Sequence, residues 1–120
     1  MAKTVLVVDD DAMVRACVAE ILSEHGGFTV HTASDGAEAL RLVEGGLAFD
    51  VLLTDRRMPG MGGDELVASL RSRGNRQFFI MMTGFVRDTD CVPGVDRLVR
   101  KPMRLDDLIE AVRDAEPHPA

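Results

Sequence analysis

The chain has 120 residues, enough for one layered core but not two. Its 46% hydrophobic and 28% charged residues are ordinary for a globular chain, and no apolar run approaches the roughly 18 residues of a membrane span. A formal net charge of −6 argues against a nucleic-acid surface, which would need a basic face.

Met1-Ala2-Lys3 leads straight into an apolar strand and is too short for a signal peptide. Cys17 and Cys91 stand far apart, with no CxxC and no His at ligand spacing. The expectation is a cytoplasmic, soluble chain with two free thiols.

Thr4–Val8 is an unbroken, valine-rich apolar run, the mark of a strand buried on both faces of a parallel sheet. Val14, Cys17, Val18, Ile21 and Leu22 then recur as one helical stripe, which Gly26-Gly27 ends. Residues 28–33 alternate as a more exposed strand. A second helix starts near Ser34-Asp35, with Glu38 three after Asp35 as in a capping box, and ends at Gly45-Gly46.

Residues 50–54 form the third strand. Met58-Pro59-Gly60-Met61-Gly62-Gly63 is a loop by composition. Residues 64–73 are helical with Leu66, Val67 and Leu70 inward, residues 78–82 are the fourth strand and 97–99 a short fifth. Leu105, Leu108, Ile109 and Val112 mark a last amphipathic helix. Between Thr83 and Arg97 the periodicity is weak and Pro93-Gly94 interrupts it, so any helix there is expected to shrink to a turn near Asp88–Cys91 or give way to loop. Residues 1–116 read as one domain and 117–120 as a frayed polar tail.

Five strands alternating with helices imply an α/β fold, a doubly wound parallel sheet covered on both faces. Ligands of such sheets bind outside the carboxyl ends of the strands. The first strand ends in Asp9-Asp10-Asp11, the third in Asp55, the fourth in Thr83 and the fifth in Lys101. Carboxylates gathered on one rim repel unless a cation sits among them, and hard oxygen ligands without His or thiolate select magnesium, manganese or calcium. A lysine and a threonine hydroxyl beside them suit the equatorial oxygens of a transferring phosphoryl group, with an Asp as nucleophile.

These residues resemble a known family. Val5-Leu6-Val7-Val8-Asp9-Asp10-Asp11 looks like the opening of response regulator receiver domains. Asp55-Arg56-Arg57-Met58-Pro59-Gly60-Met61-Gly62-Gly63 looks like their phosphorylation loop, Met81-Met82-Thr83-Gly84 like their hydroxyl-small pair and Lys101-Pro102 like their Lys-Pro pair. The resemblance implies a CheY-like, flavodoxin-like (βα)5 domain with strand order 2-1-3-4-5 and a shortened fourth helix.

It further implies that Asp55 accepts the phosphoryl group. Asp10 would ligate Mg2+ (or Mn2+ in its place), with Asp55 and the Arg57 carbonyl, while Asp9 helps through water or a hydrogen bond. Thr83, followed by Gly84, and Lys101 would bind the phosphoryl oxygens. Pro59 and Pro102 would shape their loops, the latter after a cis bond. The implied donor is a phosphohistidine on a histidine kinase or histidine phosphotransfer protein, and the output is a changed binding surface for a downstream protein. No direct nucleic-acid or membrane contact is implied. The implied enzymatic activity is at most slow self-dephosphorylation. A phosphorylation-dependent dimer stays open, as does a stand-alone chain against the receiver of a hybrid sensor kinase.

The sequence departs from the pattern at Leu98, where the family often carries an aromatic switch residue, and in the short stretch before Lys101. Arg56 and Arg57 directly after the acceptor are also unusual. Arg57 is expected to lie over the pocket and alter the lifetime of the phosphorylated form; the alternative is a solvated loop charge. Two other functions compete: a small phosphohydrolase of the haloacid dehalogenase type, and a receiver-like binding module that is never phosphorylated.

Overall fold

The computed structural model describes residues 3–84 and 92–118. Among the described residues, ten elements follow one another: β1 (Thr4–Val8), α1 (Ala12–Glu20), a π-turn (Ile21–His25), β2 (Thr29–Ala33), α2 (Gly36–Glu44), β3 (Val51–Asp55), α3 (Gly63–Ser72), β4 (Phe78–Thr83), β5 (Arg97–Arg100) and α4 (Leu105–Arg113). The expected turn near Asp88–Cys91 lies outside the described residues.

The strands form one parallel sheet in the order β2-β1-β3-β4-β5, as expected. Alternation along each strand divides the core in two. Leu6, Val8, Leu52, Phe79 and Met81 face α2 and α3, while Val5, Val7, Val51, Leu53, Ile80 and Met82 face α1 and α4. Every residue of β3 is buried, which is why it reads as a continuous apolar run ending in one carboxylate.

Helix starts follow local chemistry. Asp11 caps α1 by accepting from the Met13 and Val14 amides. Asp35 caps α2 through the Glu38 amide at 2.8 Å. Glu38 reaches back to the Ser34 amide and hydroxyl, one residue before the cap, so the box is shifted from its usual form. Those bonds, the Ser34 hydroxyl first, hold the Glu38 carboxyl below its ordinary range. The single stripe expected through Leu22 continues past Glu20 in a π-turn, closed by the Gly26 amide on the Ile21 carbonyl; the wider turn keeps Leu22 fully buried.

Two glycines allow helices to approach the loop after β3. A Cβ on Gly63 would lie 2.3 Å from the Asp55 carbonyl oxygen, and one on Gly36 would lie 2.7–3.0 Å from Met61. Gly63→Ala must therefore push α3 away from the end of β3. We expect it to cost about 2 kcal/mol in urea unfolding.

The tail carries contacts at His118, whose amide donates to the Arg76 carbonyl and whose Nε2 lies 2.7 Å from Asp96 Oδ1; residues 119 and 120 lie outside the description.

Candidate functional site

The parallel register brings the carboxyl ends of four strands to one rim. Thr83 pairs with Arg100 and Asp55 with Met82, the Arg56 amide bonds the Met82 carbonyl at 3.0 Å, and the Lys101 amide bonds the Thr83 carbonyl at 2.8 Å. Asp9 continues β1, its amide reaching the Ala33 carbonyl at 3.2 Å. Residues 46 and 92 positions from Asp9 thus become its neighbours.

Lys101 Nζ stands between two carboxylates, 3.1 Å from Asp9 Oδ2 and 3.3 Å from Asp55 Oδ1. Asp9 is wholly buried and Asp55 nearly so, while Asp10 is exposed. The other Asp9 oxygen accepts the Asp11 amide at 2.9 Å, so both oxygens of this carboxylate have donors. Carboxylate oxygens of Asp9, Asp10 and Asp55 lie within 4.8 Å of one another, a cluster that could hold a metal ion. Asp11 stands outside that cluster as a helix cap.

A cleft of about 140 Å3 opens beside them, lined by Asp55, Arg56, Arg57, Thr83, Gly84 and Lys101. Thr83, one of its lining residues, is 2% exposed. Arg56 is drawn aside to Asp64 on α3, at 3.1 Å, while Arg57 is an exposed residue of the cleft wall. Pro59 is exposed in the loop, and the Lys101–Pro102 peptide is cis. Leu98, opposite Met81, packs half-buried against the α2–α3 side of the core.

The charges explain the titration. Burial raises the Asp55 pKa; Lys101 opposes this and the Asp9 charge adds to it. For Lys101, burial is the largest influence and pulls downward, but the Asp9 hydrogen bond and the Asp55 charge outweigh it and leave the pKa raised. Because folding raises the Asp55 pKa, ionising this group disfavours the folded state. That penalty is absent below the ordinary carboxylate range, grows as pH rises through it, and is complete above the raised folded value. In EDTA, Asp55→Asn is therefore expected to be more stable than the parent at pH 7. The gap should close below about pH 4, as followed by urea midpoints.

Arg15 lies outside every motif read from the sequence, and Gly63 is legible there only as part of a loop. Arg15 Nη1 bonds the Asp9 carbonyl at 2.7 Å. The only sequence signal of Arg15 is a cation on the polar side of a helix that follows an acidic strand end.

The profile of the response regulator receiver domain matches residues 5–113. The chain belongs to the response regulator receiver family. It is 37% identical over 116 residues to the positive alginate biosynthesis regulatory protein of Pseudomonas aeruginosa, covering 92% of this chain and 46% of that protein. It is 34% identical over 113 residues to the transcriptional regulatory protein TcrA of Mycobacterium tuberculosis, covering 91% of this chain and 44% of that protein. The receiver therefore spans less than half the length of these two curated relatives.

Among solved structures, a CheY-like receiver domain from Methanospirillum hungatei superposes with a TM-score of 0.83 at 30% identity, covering 95% of this chain and 93% of that one. Response regulator TrrA of Thermotoga maritima, solved in complex with Mg2+ and BeF, gives 0.83 at 32% identity over 92% of this receiver and 96% of that chain. The receiver is a signalling module of two-component systems. The phosphohydrolase alternative gains no support from these matches. Among the described residues no helix is long and apolar enough to cross a membrane.

Proposed function

We propose that this receiver accepts a phosphoryl group on Asp55 from a phosphohistidine donor, with Mg2+, and that the modified form binds a downstream protein differently. The observation that carries the reading is Lys101 Nζ poised between the Asp9 and Asp55 carboxylates at the mouth of a cleft that also contains Thr83.

The donor set fits magnesium. Three carboxylates, with no nitrogen or sulfur ligand beside them among the described residues, make a hard oxygen site, and against one ammonium they leave a formal charge of 1 − 3 = −2 for a divalent cation to neutralise. Asp10, Asp55 and the Arg57 carbonyl would hold the ion. Asp9, with both oxygens already engaged, would act through a hydrogen bond or water. The bound ion would supply charge neutralisation at the transferring phosphoryl oxygens.

The Asp55 carboxylate attacks phosphorus in line, a P–O bond forms, the P–N bond to the donor imidazole breaks, and the imidazole leaves with its electron pair. Lys101 and the Thr83 hydroxyl stabilise the equatorial oxygens, and the small Gly84 leaves them room. Later, water hydrolyses the acyl phosphate slowly. Arg57, on the cleft wall, alters that lifetime.

The donor is a histidine kinase or histidine phosphotransfer protein. An apolar cleft of about 570 Å3 between α1 and α4 adjoins the site through Gly84 and Lys101, and its exposed Met13 suits a protein donor. The reaction takes place in the cytoplasm.

Intact mass after incubation with acetyl phosphate, with and without Mg2+, tests the proposal. One added phosphoryl group is expected, requiring both Mg2+ and Asp55 and missing in Asp55→Asn. No addition under any condition would instead support a binding module that is never phosphorylated.

A further inference from the structure

The paired register of β1 ends at Val8, opposite Ala33 on one side and Thr54 on the other. The Asp9 carbonyl lies past the last ladder pair, in a residue with no solvent exposure. A buried peptide oxygen there needs a donor from outside the sheet. Arg15 provides one, its Nη1 reaching back from α1 at 2.7 Å. Arg15 is itself held in helical register by its amide on the Asp11 carbonyl at 2.9 Å.

The Asp9 oxygen and the Asp10 Cα belong to one planar peptide unit. A guanidinium bound to that oxygen therefore restrains the atom from which the Asp10 side chain hangs. Asp9 and Asp55 are set in place by burial and by Lys101, whereas Asp10 is exposed and depends on the turn.

We propose that Arg15 is a positioning residue for divalent-cation binding, holding the Asp9–Asp10 peptide plane so that the Asp10 carboxylate meets the other two. The inference rests on the reading of this cluster as a Mg2+ site. The Arg15 charge acts in the opposite sense, because a nearby cation repels Mg2+. Salt separates the two effects: at about 1 M ionic strength the screening length falls to about 3 Å, which weakens the repulsion and leaves the anchor.

Isothermal titration with MgCl2, at low and high KCl, compares the parent with Arg15→Met and Arg15→Lys. Urea unfolding checks that each protein is folded. Arg15→Met is expected to bind Mg2+ about tenfold more weakly at high salt, in the range seen when a group orienting a metal ligand is lost. Arg15→Lys, which keeps a donor on a long stem, should stay near the parent. Equal or tighter binding by Arg15→Met at high salt would overturn the inference while leaving the Mg2+ site standing. Absence of Mg2+ binding by the parent would overturn both. Arg15→Gln, too short to span to Asp9, replaces Arg15→Met in the comparison if the latter unfolds.

Discussion

Lys101→Met is expected to slow phosphoryl uptake from acetyl phosphate about a hundredfold, the cost of removing one preorganised group from a developing oxyanion. The same change should destabilise the metal-free protein by about 2 kcal/mol. Asp9 has no exposed surface, and its counter-charge is this ammonium 3.1 Å away. Breaking a buried pair by deleting one partner typically costs about 3–5 kcal/mol; the Lys101 side chain is 25% exposed, and solvent screening brings the cost below that range, to about 2 kcal/mol. Asp55 would also lose the charge that restrains its pKa, leaving burial and Asp9 to raise it further. Urea unfolding in EDTA and in saturating Mg2+ distinguishes these effects. Much of the lost stability should return with Mg2+, whose charge replaces that of the ammonium, whereas the uptake rate should stay low. A variant as stable as the parent in EDTA would show that the ion pair contributes nothing to folding.

Arg71→Ala should be the most damaging surface substitution, at about 3 kcal/mol. From α3 the guanidinium bonds the Gly94 carbonyl at 3.0 Å, the Asn75 and Gln77 carbonyls at 2.9 and 3.0 Å, and Asp96 Oδ2 at 2.8 Å. It also lies 3.7 Å over the Phe79 ring. The Asp96 oxygen that meets it accepts the Phe79 amide at 2.8 Å, so one side chain ties α3, the start of β4 and the approach to β5. Charged hydrogen bonds contribute about 1.5–3 kcal/mol each and a cation over an aromatic face about 0.5–2, though the contributions do not simply add. Arg71→Lys should recover less than half, because an ammonium cannot present the planar fork. The contacts lie at the opposite end of the sheet from Asp55. Folded Arg71→Ala protein should therefore take up phosphate at the parental rate, and a matching loss of uptake would refute that separation.

Part of this was legible in the chain because it is local. A run such as Thr4–Val8 can be satisfied only as a doubly buried strand, and Leu105, Leu108, Ile109 and Val112 share a face only on a helix. The caps at Asp11 and Asp35 are equally local, since each carboxylate bonds amides two or three residues on. The motifs at the strand ends placed Asp9, Asp10, Asp55, Thr83 and Lys101 on one rim, and the structure brings them together.

What stayed hidden depends on packing between distant segments. Periodicity gives no reason for α1 to widen into a π-turn at Ile21; the need to bury Leu22 against the sheet does. Nothing around Gly63 announces that α3 approaches the Asp55 carbonyl too closely for a Cβ. Arg15 and Arg71 are long, flexible cations whose partners depend on where other backbones end.

By itself, then, the sequence determined the strand and helix types, the burial of each face and the carboxylate ligands of the rim with a lysine beside them, because these follow from side-chain pattern and donor type. Tertiary structure alone decided that Lys101 bridges Asp9 and Asp55, that Asp9 has both oxygens engaged and that Arg15 holds the next peptide plane. Those contacts join residues up to 92 positions apart, and their distances are set by the register of the parallel strands that carry them.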